Sequence, residues 1–259
     1  MNRGGIGVFG ANSKSAQHLI RQLEFEGYEV ILFSSSPANS QIRKYDIYDS
    51  NHIEFDFKIA IYFSWAIERT EKDQHIAAQA ASLFGEHARK RNVNVIFISS
   101  LASLPIHSKS NYGKYKLEAE KSMKLSGHAV VRPGTITSKH DSGMSSSFTQ
   151  MLRYVKLARI FTHLSRKILI PTVGVEYFSH KILNLVKNPQ PCDFNLIQNI
   201  VSLEEFASIS TPRFRLPISW VSISRFRIRS NALDRLTTLI SVSDWITESQ
   251  DQLESMILE

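Results

Sequence analysis

The sequence predicts an α/β fold, a doubly wound parallel sheet followed by a small C-terminal domain. Short apolar runs alternate with segments whose apolar residues recur at helical spacing, which is typical of strand–helix–strand units. Residues 95–98 form a β-branched apolar run that predicts a buried parallel strand. Residues 111–121 contain no β-branched residue and predict a helix. We therefore expect the end of this strand to lie beside the start of this helix.

The composition is that of an ordinary globular protein. The chain has 259 residues, 42% of them hydrophobic, which allows one large domain with an appendage. No run of about 18 apolar residues occurs, so we expect neither a signal peptide nor a spanning helix. The single cysteine, Cys192, excludes an internal disulfide and favours a reducing cytoplasm.

The first segment predicts a phosphate-binding turn. Residues 6–9 are apolar, Gly10 follows, and apolar residues then recur at helical spacing from Leu19. Strand, turn and helix in this order open a dinucleotide-binding unit, in which backbone N–H groups at the helix start hold a pyrophosphate.

The second strand, predicted at residues 28–33, indicates which dinucleotide is bound. It ends in serines beginning at Ser34 and lacks the acidic residue that would bind the ribose hydroxyls of NAD. Lys14 and Arg43 can instead meet a 2′-phosphate, which favours NADP and leaves NAD as the alternative. Both cations are equally compatible with plain surface charge.

Two further segments lead to the central strand. Residues 59–66 predict the fourth strand, with Ser64 and Trp65 at its end, and residues 74–91 predict an amphipathic helix. Trp65 either lines the active site or is an ordinary core aromatic residue.

Three side chains near the centre of the sequence form a candidate catalytic group. Tyr112 and Lys116 lie four residues apart and therefore share one face of the predicted helix. An ammonium beside a phenol favours the phenolate, so the pair can exchange a proton with a carbinol or carbonyl oxygen. Ser100, at the mouth of the strand, can hydrogen-bond the same oxygen. Tyr115 is a weaker candidate because Ala119 stands four residues after it.

These segments resemble the extended short-chain dehydrogenase/reductase family of NAD(P)-dependent sugar-nucleotide epimerases and reductases. The likeness lies in Ser-Ser at 99–100, the run 112–121 and Val-Val-Arg-Pro-Gly at 130–134. It implies a Rossmann-like fold, a substrate-binding C-terminal domain and hydride transfer on a sugar-nucleotide or related carbonyl or carbinol substrate. It also implies the catalytic set Ser100, Tyr112 and Lys116. Reductase and epimerase stay open.

The sequence also departs from the family pattern. Of the three glycines in the phosphate loop only Gly10 is kept, and Ser13 and Ala16 stand where the others would be. Both are small, so the loop is expected to work with weaker or displaced binding. Leu101 and Ala102 replace the acidic pair of the dehydratases, so dehydration is disfavoured.

The resemblance completes the predicted cofactor site. It makes Asp46 and Ile47 adenine contacts and places Ser64 and Pro133 near the nicotinamide. With the residues above, the predicted cofactor-binding positions are Gly10, Asn12, Ser13, Lys14, Ser34, Arg43, Asp46, Ile47, Ser64 and Pro133.

The C-terminal part matches in outline. Residues 168–178 resemble a family segment, residues 194–196 predict a late strand, and residues 201–206 predict a helix after it. We expect a nucleotide-binding domain over 1–165, to which a closing strand near 192–197 also belongs, and a mostly separate small domain over 166–259. The resemblance further implies a homodimer.

The net charge of +7 lies partly in C-terminal arginines. No nucleic-acid-binding motif accompanies them, so we expect no nucleic-acid partner. Three interpretations stay open: Arg213 and Arg215 grip a substrate diphosphate, as an Arg does in the related enzymes, the segment rests on anionic lipid, or it is a solvated face. No metal ligands are predicted. The rival to an enzyme is a non-catalytic NAD(P)-binding sensor or docking protein.

Overall fold

The structure is a computed structural model that describes residues 5–37, 40–49, 53–66, 68, 70–104, 110–138, 168–202, 238 and 240–246. The strands are β1 (Ile6–Phe9), β2 (Val30–Ser34), β3 (Ile42–Lys44), β4 (Ile59–Tyr62), β5 (Asn94–Ile98), β6 (Ala129–Pro133), β7 (Thr135–Thr137), β8 (Leu169–Gly174), β9 (Asp193–Leu196) and β10 (Asn199–Ser202). The helices are α1 (Lys14–Phe25), α2 (Glu71–Lys90), α3 (Asn111–Leu125) and α4 (Val175–Lys187).

A seven-stranded sheet organises the molecule. Its order is β3-β2-β1-β4-β5-β6-β9, and every neighbouring pair is parallel. The chain leaves β1 outward to β2 and β3 and then returns to the other side of β1 as β4. The predicted doubly wound parallel sheet is therefore confirmed. The strand order reverses between β1 and β4, the position at which open α/β sheets bind ligands beyond the carboxyl ends of their strands.

Alternate residues of the strands build two cores. Ile6 and Val8 of β1 pack with α1 and α4 on one face, whereas Phe9 packs with α2 and α3 on the other. This alternation follows from the two-residue period of a strand. The second core is aromatic, and the ring of Phe9 stacks on that of Phe33 with centroids 4.3 Å apart. Both faces of the sheet are covered, as a parallel sheet requires.

Polar residues fix where the helices begin. The hydroxyl of Ser13 accepts from the Ala16 amide at 3.2 Å, and that of Ser110 accepts from the Gly113 amide at 3.0 Å. Each bond satisfies one of the amides that have no partner within the helix. These caps set the start of α1 at the phosphate loop and the start of α3 at Asn111, one residue before Tyr112.

A second, three-stranded sheet has the order β10-β8-β7. It corrects one expectation, for residues 201–206. At its other end, residues 129–137 divide at Gly134 into β6 and β7, which lie in different sheets. A side chain at Gly134 would come within 2.7 Å of the Pro171 carbonyl oxygen, so glycine allows this close crossing. The helix predicted over 201–206 is wrong at Val201 and Ser202, which pair with β8 as part of β10.

The chain after β8 contributes to the large sheet as well as to the small one. Helix α4 packs on α1, and β9 pairs with β6 at the sheet edge. A C-terminal helical segment, residues 240–246, packs Val242 and Ile246 against Leu101 and Ala102. The predicted domain boundary at residue 165 lies outside the described residues and stays a prediction. No helix in the described ranges is long and apolar enough to cross a membrane.

Candidate functional site

The carboxyl edge of the sheet carries the candidate site. Gly10 follows β1, Ser64 and Trp65 follow β4, and Ser100 follows β5. Since β1, β4 and β5 are consecutive in the sheet, the ends of these strands meet at one edge. The fold thus brings the predicted phosphate loop and the predicted catalytic residues to the same side of the molecule.

Gly10 has the geometry of a phosphate-loop glycine. Its φ is +81°, and a side chain there would come within 3.0 Å of the Ser64 amide nitrogen and 3.1 Å of the Phe63 carbonyl carbon. A residue with a Cβ would be strained by the conformation and crowded by the neighbouring strand. The loop therefore runs directly against the end of β4.

The serine and alanine in the loop fit its backbone. Ser13 has φ −71° and ψ 143°, a conformation that any residue adopts, and its side chain caps α1. Ala16 is fully buried beneath the helix start. The first turn of α1 contains no acidic residue, so its N–H groups and positive dipole end suit an anion. The loop fits a dinucleotide pyrophosphate although two of the three family glycines are replaced.

The predicted adenosine side is tied to the loop. Asn12 donates to the Ser34 hydroxyl at 2.8 Å and to the Ser36 carbonyl at 2.7 Å. Lys14 is exposed at the start of α1. Arg43 forms an ion pair with Asp56 at 2.7 Å, both side chains being 45% exposed. A 2′-phosphate at Arg43 would have to compete with that carboxylate.

The remaining predicted cofactor residues lie along the same edge. Asp46 is half-buried in a short turn and accepts from the Tyr48 amide at 3.0 Å, with Ile47 between them. Pro133 ends β6 and is buried. Ser64 is half-buried beside Gly10. The contacts of these residues with a cofactor stay a prediction.

Ser100 begins a 3₁₀ turn, Leu101–Ser103, that directly follows β5. Its hydroxyl oxygen accepts from the Ala102 amide at 3.2 Å, and the Ser100 carbonyl accepts from the Ser103 hydroxyl at 2.8 Å. These bonds hold the turn in one conformation. The Ser100 hydroxyl keeps its hydrogen available for an acceptor oxygen, because its bond to Ala102 uses only an oxygen lone pair.

Lys116 is almost completely buried, with 2% of its surface exposed. Its ammonium nitrogen donates to the Ile98 carbonyl oxygen at 3.0 Å and lies 5.9 Å from the centre of the Tyr112 ring. Buried lysines are rare in proteins unless a polar partner holds them. The fold therefore fixes an ammonium between the end of β5 and the phenol one helical turn before it.

The two tyrosines of α3 face different neighbours. Tyr112 is half-buried and packs on the cluster formed by the 3₁₀ turn and the C-terminal helical segment. Tyr115 is buried against α2, where its hydroxyl donates to Glu71 at 3.2 Å. Only Tyr112 of this pair shares the face of Lys116, as the spacing predicts.

Trp65 belongs to the surroundings of this group, although the sequence left its role open. Its ring lies 3.9 Å from the Lys116 ammonium and meets the Tyr112 ring edge to face at 6.3 Å. Gln74, fully buried, accepts from the indole nitrogen at 2.7 Å. The position of Trp65 next to Ser64, at the end of a central strand, was the signal for its place in the site.

A buried ion pair between Glu120 and Arg132, which the sequence did not predict, supports the site. Glu120 is fully buried and accepts three bonds from Arg132, at 2.7, 2.9 and 3.0 Å, and one each from Ser99 and Ser103. Burial opposes the charge on Arg132, but its bonds to Glu120 and Asp193 raise the pKa of the guanidinium. The pair joins α3, β6 and both sides of Ser100.

Asp193 extends this network to the edge of the sheet. Its carboxylate pairs with Arg132 and with Lys124, the latter at 2.7 Å. Partial burial alone would raise the pKa of Asp193, but the hydrogen bonds from Arg132 and Lys124 outweigh it and lower the pKa. Glu120 stands four residues after Lys116, so the helical spacing was the available sequence signal for its position.

Other predicted residues lie apart from the site or outside the described residues. Arg213 and Arg215 are outside them, so the substrate side of the prediction is untested. Within the described part of the chain no three acidic, histidine or cysteine side chains are placed to hold a metal ion. Cys192 is half-buried, and burial together with the nearby Asp193 raises the pKa of its thiol, which keeps it protonated.

The fold is similar to known structures, although sequence comparisons find no match. No protein-family model and no curated protein sequence matches the chain. Solved structures do. A short-chain dehydrogenase/reductase superfamily protein from Agrobacterium tumefaciens with bound NAD has a TM-score of 0.62 at 14% identity, with 79% of this chain and 81% of that one covered.

Two enzymes of known activity are similar to the same extent. UDP-N-acetylglucosamine 4-epimerase from Bacillus cereus has a TM-score of 0.59 at 10% identity, covering 79% of each chain. A dTDP-4-dehydrorhamnose reductase from Clostridium acetobutylicum has a TM-score of 0.60 at 17% identity, covering 79% of this chain and 78% of that one. These likenesses confirm the predicted resemblance to extended short-chain dehydrogenases/reductases at the level of the fold.

Proposed function

We propose that this chain is an NAD(P)-dependent oxidoreductase or epimerase that acts on a sugar-nucleotide or a related carbonyl or carbinol compound. The observation that carries the proposal is the buried ammonium of Lys116, one helical turn after Tyr112. It is held by the carbonyl of Ile98, two residues before Ser100. The structural neighbours include an epimerase and a reductase of nucleotide sugars and a protein with bound NAD, which supports this reaction class.

The chain's own residues would divide the chemistry as follows. The Lys116 ammonium favours the phenolate of Tyr112, which can then take a proton from a substrate hydroxyl. Ser100 donates a hydrogen bond to the same substrate oxygen and fixes its position. When bound, the nicotinamide supplies the chemistry of hydride exchange with the carbinol carbon. In the opposite direction Tyr112 returns the proton to the carbonyl oxygen.

The loop residues would hold the cofactor. The N–H groups at the start of α1 and the backbone at Gly10 receive the pyrophosphate, and Asn12 and Ser34 lie toward the adenosine half. Lys14 is exposed and can reach a 2′-phosphate, whereas Arg43 already forms an ion pair with Asp56. We propose NADP as the preferred cofactor, with NAD as the alternative.

The proposal extends to properties that follow from the resemblance. The C-terminal part, with Arg213 and Arg215, would bind the substrate, and the chain would form a homodimer in the cytoplasm. A reductase would consume NADPH in proportion to product, whereas an epimerase would retain a cofactor that cycles. Stoichiometric cofactor consumption therefore separates these two reactions.

A non-catalytic NAD(P)-binding sensor or docking protein is the second candidate. Trp65 favours it, because a bulky indole stands where small residues usually face the cofactor. Ser100, Tyr112 and Lys116 argue against it, since a binding module has no use for a phenol held beside a buried ammonium.

Calorimetric titration with NADPH and then NADH tests cofactor binding, which both candidates require. We expect binding, with NADPH the tighter ligand. Gly10→Ala should weaken binding, because the new Cβ would crowd the Ser64 amide nitrogen. Gly27→Ala is the matched control, since Gly27 also has φ +81° but nothing within 4 Å. Binding of neither nucleotide at a Kd of about 1 mM would contradict the proposal, and tighter NADH would reverse the cofactor preference.

A further inference from the structure

The contact between Trp65 and Lys116 is a charged group resting on an aromatic face. The Lys116 nitrogen lies 3.9 Å from the centre of the Trp65 ring, well within the range of a cation–π interaction. Trp is the side chain that attracts a cation most strongly in this way, and desolvation strengthens the attraction. Lys116 has 2% of its surface exposed, so water screens the contact little.

The indole is held in place by a hydrogen bond to Gln74, which is itself anchored. Its nitrogen donates to the Gln74 side-chain oxygen at 2.7 Å. The Gln74 side-chain nitrogen donates in turn to the carbonyls of Glu68 and Ala66 at 2.5 and 3.4 Å. Gln74 is fully buried in the first turns of α2. The backbone after β4 and the start of α2 therefore hold the indole through Gln74.

The same indole contacts the phenol. The Trp65 ring meets the Tyr112 ring edge to face, with ring centres 6.3 Å apart, and contacts the Phe97 ring in a tilted arrangement at 6.2 Å. Lys116 also lies 4.8 Å from the Phe97 ring. The Lys116 ammonium thus lies between the Ile98 carbonyl and the rings of Trp65 and Phe97, and the Trp65 ring also contacts the phenol.

We propose that Trp65 is a positioning residue that holds the Lys116 ammonium beside Tyr112. This inference rests on the proposed function and adds a residue to its reaction centre. A free lysine side chain has several rotatable bonds and would sample many positions. The indole face, together with the Ile98 carbonyl, restricts the ammonium to the place where it favours the phenolate of Tyr112.

Two ion pairs lie on the elements around Lys116. Glu120 and Arg132 pair below Lys116, and Glu71 of α2 pairs with Lys114 at 3.3 Å. Neither of these two ion pairs includes Lys116, so neither substitutes for its contact with the indole face. The loss of Trp65 should therefore act on Lys116 and through it on Tyr112.

The kinetic test compares Trp65→Leu with Trp65→Phe. Leucine fills much of the space but has no aromatic face, whereas phenylalanine keeps one. We expect Trp65→Leu to lower kcat by about tenfold and to move the acid limb of the pH–rate profile to higher pH, since the phenolate is less favoured. Trp65→Phe should restore most of both. Loss of packing alone would lower both variants equally and leave the acid limb unchanged, which would overturn the proposal.

An NMR measurement tests the contact without catalysis. In protein labelled with ¹³Cε-lysine, the Lys116 signal is assigned through Lys116→Arg. Its CεH₂ protons should resonate upfield, because they adjoin the ammonium nitrogen that lies over the indole, and Trp65→Leu should remove this shift. Lys114, which lies 4.8 Å from the Tyr115 ring, is the internal control and should not change.

The two measurements separate the two claims. If the wild-type chain transfers no hydride to any substrate but shows the upfield Lys116 signal, the proposed function fails and the contact stands. If Trp65→Leu binds NADPH more tightly and keeps the wild-type kcat, the indole merely occupies cofactor space and the positioning role is overturned. A Lys116 signal at the ordinary lysine position in the wild type would also overturn it.

Discussion

Ser13 shows how one residue can leave the family pattern without losing the loop. Its φ of −71° needs no glycine, and its hydroxyl caps α1 at the Ala16 amide. A serine cap is worth about 1 kcal/mol over alanine. Gly10, by contrast, has φ +81° and lies against the end of β4, so any residue with a side chain would be strained there. The retained glycine is the one that the backbone requires.

His128 gives the protein a pH-dependent stability. Its Nε2 lies 2.8 Å from the Gly85 carbonyl oxygen, and burial lowers the pKa of the imidazole more than this bond raises it. The unfolded chain therefore takes up a proton near pH 6.5 while the folded chain does not. Stability should fall as the pH drops from about 6.5 through the lowered pKa.

Urea unfolding at a series of pH values measures this effect. His128→Gln keeps a nitrogen able to donate to Gly85 but cannot titrate, so its stability should decline less below about pH 6.5. His87→Gln, at an exposed histidine near the end of α2, is the control for a histidine-to-glutamine substitution as such. An equal decline in His128→Gln and the wild type would contradict the assignment.

At the scale of the element, α3 presents one functional face. Tyr112, Lys116 and Glu120 recur every four residues, so all three lie along one side of the helix. That side meets the end of β5, the 3₁₀ turn after it and Arg132 of β6. The buried pair of Glu120 and Arg132 thus anchors the helix that carries the catalytic candidates.

The buried pair should contribute far more to stability than an exposed one. Glu120→Gln removes the charge that faces the buried Arg132, and we expect a loss of about 3 kcal/mol in the free energy of unfolding. Asp56→Asn breaks the exposed pair with Arg43 and should cost less than about 1 kcal/mol. Denaturant unfolding of both variants decides this, and equal losses would show that Arg132 does not depend on Glu120.

Local patterns predicted the elements, but pairing between distant segments was out of their reach. Strand β1, the helix that follows the phosphate loop and the face shared by Tyr112 and Lys116 all follow from periodicity and spacing. The division at Gly134 depends on Pro171, far along the chain. Trp65 presented the same limit, because a single strand-end residue does not reveal that a lysine fifty positions later will reach its face.

At the scale of the whole molecule, the C-terminal helical segment packs on the 3₁₀ turn Leu101–Ser103. Ile246, with 1% of its surface exposed, packs with Val242 against Leu101 and Ala102, and the Ser243 hydroxyl accepts from the Leu169 amide at 2.9 Å. The end of the described chain is thereby joined to both sheets. We expect this segment to unfold together with the parallel sheet.

Two substitutions in that segment test the expectation. Ile246→Ala removes a buried side chain and should lower the free energy of unfolding by about 2–4 kcal/mol. Ile240→Ala, at a position that is 40% exposed, should change it by less than about 1 kcal/mol. A single unfolding transition is expected in both. Unchanged stability of Ile246→Ala would mean that the segment does not dock on the turn.

The measurement that tests the central claim most directly is the turnover of Tyr112→Phe beside that of Tyr115→Phe. The two changes each remove one hydroxyl from the same helix, but only Tyr112 shares the face of Lys116. The assay uses a panel of UDP- and dTDP-sugars with the nicotinamide cofactor that binds more tightly. Tyr112→Phe should lose about 10²–10⁴-fold in kcat and keep cofactor affinity, and Tyr115→Phe should stay close to the wild type. Turnover retained in Tyr112→Phe would contradict the account.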